Sequence, residues 1–81
     1  TLAKHEFYVA IYYTNKGSNI AAINRVQFII QNFPNSSLMP DALHLMAYSY
    51  DILNTPELAS DARKILATNY PNYTPNYSIK N

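Results

Sequence analysis

Few residues in this chain could do chemistry, and their spacing limits what that chemistry is. The two histidines, His5 and His44, have no His, Asp or Glu four residues on. A metal site needs three or four converging ligands, so both read as helix-surface or hydrogen-bonded histidines. Asp41, three residues before His44, could pair with it locally. The five carboxylates are Glu6, Asp41, Asp51, Glu57 and Asp61. Asp41, Glu57 and Asp61 are placed in the first turns of helices, where the helix dipole explains them, and no two form an acid and base pair. The serines sit in expected caps and turns or, as Ser49 and Ser60, within helices. No Gly-x-Ser-x-Gly elbow or glycine-rich phosphate loop is present. Cysteine is absent, which removes disulfides, thiolate metal sites and cysteine nucleophiles. No catalytic residue, metal ligand or cofactor site follows, and an enzyme is not expected.

Binding chemistry is better represented. Arg25 sits in Asn24-Arg25-Val26, on an otherwise apolar stretch with no acid three or four residues to either side. A guanidinium without a local partner can take an external carboxylate through two parallel hydrogen bonds. The alternative is a solvated arginine whose stem covers apolar surface. Of the eight tyrosines, Tyr13 and Tyr50 read as packing residues. Tyr8, Tyr12 and Tyr48 are candidates for contact with a partner, because tyrosine buries a large area and keeps a polar tip. The candidate partner-binding set is therefore Arg25, Asn24, Tyr8, Tyr12 and Tyr48.

Four helical segments must position these residues. The first, about residues 2–16, carries apolar residues at helical spacing and stops at Gly17, the only glycine, preceded by Lys16. The second, about 20–32, has Ser18 or Asn19 as N-cap, a stripe of Ala22, Val26, Ile29 and Phe33, and Pro34 as its stop. The third, about 38–53, starts near Pro40. The fourth, about 56–69, begins with Thr55 as cap and Pro56 as first helical residue; Leu58, Ala59, Ala62, Ile65 and Leu66 are expected to face inward. Beyond it lies a Tyr-, Asn- and Pro-rich tail, 73–81, irregular or disordered, or extended and bound to something.

Two stops have the same form, Asn32-Phe33-Pro34-Asn35 and Asn69-Tyr70-Pro71-Asn72, 37 residues apart. At this offset Ala10 falls on Ala47, Tyr13 on Tyr50, Ala22 on Ala59 and Pro34 on Pro71. Those spaced features are those of a tetratricopeptide repeat, about 34 residues of helix–turn–helix. The excess length is assigned to the connection between Pro34 and Pro40. The expected fold is all-α: a solenoid fragment of two tetratricopeptide repeats (about 2–34 and 38–71) and four helices. Ala10, Tyr13, Gly17, Ala22, Pro34, Tyr50, Ala59 and Pro71 are its structural positions. The competing reading is an ordinary four-helix bundle with chance matches. Two units also imply more repeats before Thr1, or a cap from the tail or a partner.

Composition narrows the partners. Charged residues are 14 % and the net charge is +1, with the six basic residues scattered, so there is no electrostatic footprint for nucleic acid. No apolar run is long enough to cross a membrane. The chain opens inside a helical pattern, so it is expected to be a piece of a longer protein.

Several stretches resemble the C-terminal part of the BamD (ComL-like) family of outer-membrane assembly lipoproteins. They are Phe7-Tyr8-Val9-Ala10 with Tyr12-Tyr13 and Gly17, Ala22-Ile23-Asn24-Arg25-Val26, Phe33-Pro34, Asp41-Ala42-Leu43 with Leu45-Met46, Tyr50, Glu57-Leu58-Ala59 with Asp61-Ala62, and Asn69-Tyr70-Pro71. The resemblance implies five tetratricopeptide repeats, of which these look like the last two, and a lipid-anchored protein on the periplasmic face of the outer membrane of a Gram-negative bacterium. It implies a non-catalytic role in the β-barrel assembly machinery, docking on the membrane-proximal POTRA domain of BamA and meeting BamE. The family's arginine at the BamA contact matches Arg25. The runner-up is a tetratricopeptide adaptor outside this machinery that binds an extended peptide. The sequence departs from the family at Ile11, at the Ser18-Asn19 turn and in the tail.

Overall fold

A computed structural model describes residues 1–80 as four α-helices of 14 residues each: α1 Leu2–Asn15, α2 Asn19–Asn32, α3 Met39–Ile52 and α4 Pro56–Asn69. Asn81, the last residue of the expected tail, lies outside the described residues. Every helix boundary in the first pair recurs 37 residues later in the second. So do the hydrogen bonds that end the helices. Asn32 and Asn69 each donate their side-chain amide to the carbonyl four residues back, Phe28 O and Ile65 O. Phe33 N donates to Ile29 O and Tyr70 N to Leu66 O, both at 2.8 Å. The prolines that follow prevent either helix from continuing.

The turns inside the two pairs share one cap. Gly17 has φ +80, and Asn54, its counterpart, has φ 60. Gly17 N donates to Thr14 O and Ser18 N to Tyr13 O; Asn54 N donates to Asp51 O and Thr55 N to Tyr50 O. This is the paired arrangement of the Schellman motif, which needs one left-handed residue. Glycine supplies it in the first unit and asparagine, the next most tolerant residue, in the second. The connection between the pairs, 33–38, is twice the length of the three-residue turns at 16–18 and 53–55, so the extra residues of the 37-residue period lie there.

α1 packs on α2, α2 on α3 and α3 on α4. A closed bundle would also set α1 broadly against α4; packing on sequence neighbours is the order of a solenoid. Small residues stand where the helices approach. Ala10, Ala22, Ala42 and Ala59 are fully buried, and Phe7, Val26, Ile29 and Leu45 fill the space around them. Tyr13 and Tyr50 are half-buried, and Tyr50 Oη accepts from Gln27 Nε2 at 3.4 Å, across to α2.

Several sequence expectations are corrected. Ser18 and Thr55 stand at N-cap positions, but neither side chain accepts a cap hydrogen bond; Thr55 donates its hydroxyl to Tyr50 O instead. Asp61 lies in the second turn of α4, leaving Glu57 as the only acid of its first turn. Leu58 and Ile65 point outward and are about half exposed. Periodicity marks a face as apolar, but only a neighbour buries it, and no described element covers that side of α4. The four residues that succeed Ile23, Val26, Gln27 and Ile30 at the 37-residue offset are Ser60, Arg63, Lys64 and Ala67, all exposed. The α2 face that α3 covers thus has a polar counterpart on α4, which suits an end of a stack.

Candidate partner-binding site

The candidate residues fall on three surfaces, set by the helical phase of α1, α2 and α3. Asn24 and Arg25 lie on the exposed side of α2, where Tyr13, Ala21, Asn24, Arg25 and Phe28 line a shallow depression. Arg25 Nη1 donates to Glu6 Oε2 of α1 at 3.0 Å; the arginine side chain is 44 % exposed and the glutamate 11 %. The acid absent from α2 is therefore supplied by the neighbouring helix, which corrects the reading of Arg25 as unpartnered. The hydrogen bond that Arg25 donates to Glu6, then the charge of Glu6, raise the guanidinium pKa further, so Arg25 is cationic at any working pH. Glu6 takes one of the five guanidinium donors, and Tyr13, which also lines the depression, is a second polar neighbour of the group. The pair holds the arginine in one orientation, which lowers the ordering cost of a second, external acceptor.

Phe28 was not among the candidate residues, yet it is 41 % exposed at the rim of this depression, with its ring 6.0 Å from that of Phe33. Its position three residues after Arg25 and four after Asn24 was the available signal. Glu6 also carried one, as an acid among the apolar positions of its helix. A cation beside an exposed aromatic and an amide is chemistry for an acidic, partly apolar protein surface.

Tyr8 and Tyr12 stand elsewhere. Tyr8 is two residues from Glu6, about 200° around the helix, so Arg25 and these tyrosines are on opposite sides of α1. Both rings are 58 % exposed, with the ammonium of Lys4 over Tyr8 and that of Lys16 over Tyr12. Their counterparts in α3, Leu45 and Ser49, are fully buried, as is Ala42, the counterpart of exposed His5. Tyr48 lies on a third surface, half-buried against the core cluster.

His44 does not pair with Asp41. Its Nδ1 lies 2.6 Å from Tyr77 Oη, while Asp41 Oδ1 accepts from Tyr73 Oη at 2.5 Å. The tail thus returns to the helices. Among the described residues, no three His, Asp or Glu side chains converge on a point that could hold a metal ion. Arg63 of α4 pairs with Asp51 of α3 on the surface. No described helix is long and apolar enough to cross a membrane.

Comparison with known proteins supplies the context for this surface. A family model described as outer membrane lipoprotein, YfiO, matches residues 1–66. The outer membrane protein assembly factor BamD of Neisseria meningitidis serogroup A / serotype 4A is 40 % identical over 70 residues, covering 86 % of this chain and 26 % of that protein. BamD of Xylella fastidiosa strain 9a5c is 32 % identical over 71 residues, covering 88 % and 24 %. BamD of Rickettsia prowazekii is 32 % identical over 71 residues, covering 88 % and 28 %. The chain spans about a quarter of the length of the curated relatives it matches.

Proposed function

The chain belongs to the YfiO family of outer membrane lipoproteins, and on that premise we propose that its two repeats form a docking module of the outer-membrane protein assembly machinery. It acts by holding partner proteins, with no catalysis of its own. The depression at Asn24, Arg25 and Phe28 docks on the membrane-proximal POTRA domain of BamA, and BamE meets the same end of the molecule. Support comes from one observation above the others. Arg25 is paired with Glu6 of a different helix and still has a side chain 44 % exposed beside an exposed phenylalanine. The site is at the periplasmic face of the outer membrane, with the lipid anchor of the whole protein upstream. Membership of the family argues against an adaptor outside this machinery.

Tyr8 and Tyr12 take a different role in this proposal from the one their exposure suggests. At the equivalent places α3, which packs on α2, has Leu45 and Ser49 fully buried. The His5, Tyr8 and Tyr12 face of α1 is thus the seat for the second helix of a preceding repeat. Tyr8 and Tyr12 serve stacking, and the BamA contact rests on α2.

The test is a titration of the chain against the membrane-proximal POTRA domain of a matching BamA. Arg25→Glu is expected to weaken binding about tenfold or more, because it removes a charge-assisted contact and adds repulsion. A variant that keeps its helical circular dichroism and binds unchanged excludes this role for Arg25.

A further inference from the structure

The tail is laid on a single face of the two first helices. Tyr73 donates to Asp41, and Tyr77 Oη lies against His44 Nδ1. The Tyr77 ring meets Phe7 edge-on at 5.1 Å and His44 at 5.7 Å, so it bridges α1 and α3. Lys80 N donates to Asn15 Oδ1 at 2.8 Å, and Tyr77 and Ile79 pack on the core cluster together with Ile11 and Tyr48. In α1 the residues involved are Phe7, Ile11 and Asn15, four apart. In α3 they are Asp41, His44 and Tyr48. Phe7 and Ile11 become His44 and Tyr48 at the 37-residue offset, so both helices present the same face to the tail.

The tail answers with its own pattern. Tyr73, Tyr77 and Ile79 are half-buried, whereas Thr74, Pro75, Asn76, Ser78 and Lys80 are exposed. From Asn76 to Lys80 the exposure alternates with period two, as in an extended segment resting on a surface, and Thr74-Pro75-Asn76 arch away between the two seated tyrosines. The sequence Pro71-Asn72-Tyr73 recurs as Pro75-Asn76-Tyr77, which delivers the two contacting tyrosines four residues apart. Each proline fixes one backbone dihedral and removes a donor, so the segment loses less freedom when it is seated.

We propose that the face of α1 and α3 built by Phe7, Ile11, Asp41, His44 and Tyr48 is a recognition surface for an extended peptide with two tyrosines four residues apart, and that residues 70–80 occupy it in cis as a displaceable strap. Asp41 and His44 select the phenol hydroxyls, and Phe7 takes the second ring. This surface is separate from the Arg25 depression and does not depend on the role given to it. An attached strap has an effective concentration on the order of millimolar. A free peptide of the same sequence therefore competes poorly with it and well once the strap's own tyrosines are gone.

The experiment uses the full 81-residue chain and a fluorescent peptide of sequence 70–80, read by anisotropy. The Tyr73→Ala/Tyr77→Ala chain should bind the peptide at least tenfold more tightly than the unaltered chain does, and adding His44→Ala should remove that gain. Equal binding by the two chains, or no saturable binding by the folded double variant, overturns the proposal. A second measurement needs no substitution. Magnetisation transfer between the Tyr77 ring and Phe7 in the unaltered monomer is expected; its absence overturns the strap. A dimer that dissociates in the double variant would assign the tail to a neighbouring copy and overturn its placement in cis.

Discussion

Gly17→Ala isolates the conformational demand of the repeat's inner turn. A methyl added at Gly17 would meet no atom within 4 Å, so steric crowding contributes nothing. The left-handed φ of +80 remains as the cost, about 1–2 kcal/mol for an L residue. Alanine also restricts the unfolded chain, which returns about 0.4–1 kcal/mol. At the middle of both ranges the net expectation is a loss of about 0.8 kcal/mol, read as a fall in melting temperature of about 4–8 °C per kcal/mol for a domain of this size. Gly17→Asn should lose less, because asparagine already holds the equivalent place at Asn54 with φ 60. Asn54→Gly should be near neutral and Asn54→Ala destabilising. Urea unfolding followed by circular dichroism measures all four. If Gly17→Ala is as stable as the parent, or if alanine and asparagine are equivalent at both sites, the shared Schellman turn is not what sets the two units.

Other consequences concern buried polar groups and the strap. Ser49 Oγ is buried in α3 and has no hydrogen-bond partner among the described residues. An unpaired buried hydroxyl costs about 1–3 kcal/mol, so Ser49→Ala should be neutral or stabilising by about 1 kcal/mol in urea unfolding. Tyr73 and Tyr77 are both held above the ordinary tyrosine pKa, first by burial; the Tyr73 hydroxyl's bond to Asp41, then the charge of Asp41, add to this for Tyr73, and the charge of Asp41 alone for Tyr77. Their contribution is complete below the ordinary value of about 10 and is lost as pH rises past it. A spectrophotometric titration should show two tyrosines ionising later than free tyrosine does, and the lag should vanish in urea. His44 is pushed below its ordinary value by burial, against the opposing charge of Asp41 and with that of Arg63. Its contribution is present above about pH 6.5 and is lost as pH falls, so the Tyr77–Phe7 contact should weaken on mild acidification.

Much of the architecture was legible because its punctuation is covalent. Pro34, Pro71, Pro56 and Gly17 fix helix ends through dihedral limits that no tertiary contact alters, and the expected bounds fall within one residue of those observed. Asn54 was not read as a stop, since asparagine also serves on surfaces and inside helices, as Asn32 and Asn69 do here. Leu58 and Ile65 were misplaced because periodicity cannot report whether a neighbour exists. The partner of Arg25 was hidden for a related reason. Spacing rules within a helix see only the next turn, and Glu6 lies 19 residues away on another helix. In the tail Thr74, Pro75 and Asn76 are all exposed, so no period runs through it, and only the packed face of α1 and α3 reveals which residues it seats.

On the proposed function, Arg25 serves a partner and not the fold alone. Exchanging the pair, Glu6→Arg with Arg25→Glu, keeps an ion pair between α1 and α2 while inverting the charge shown to the partner. Titration of this double variant against the membrane-proximal POTRA domain of a matching BamA is predicted to give unfolding like the parent's and binding at least tenfold weaker. A folded double variant that binds as tightly as the parent would exclude a partner contact by Arg25.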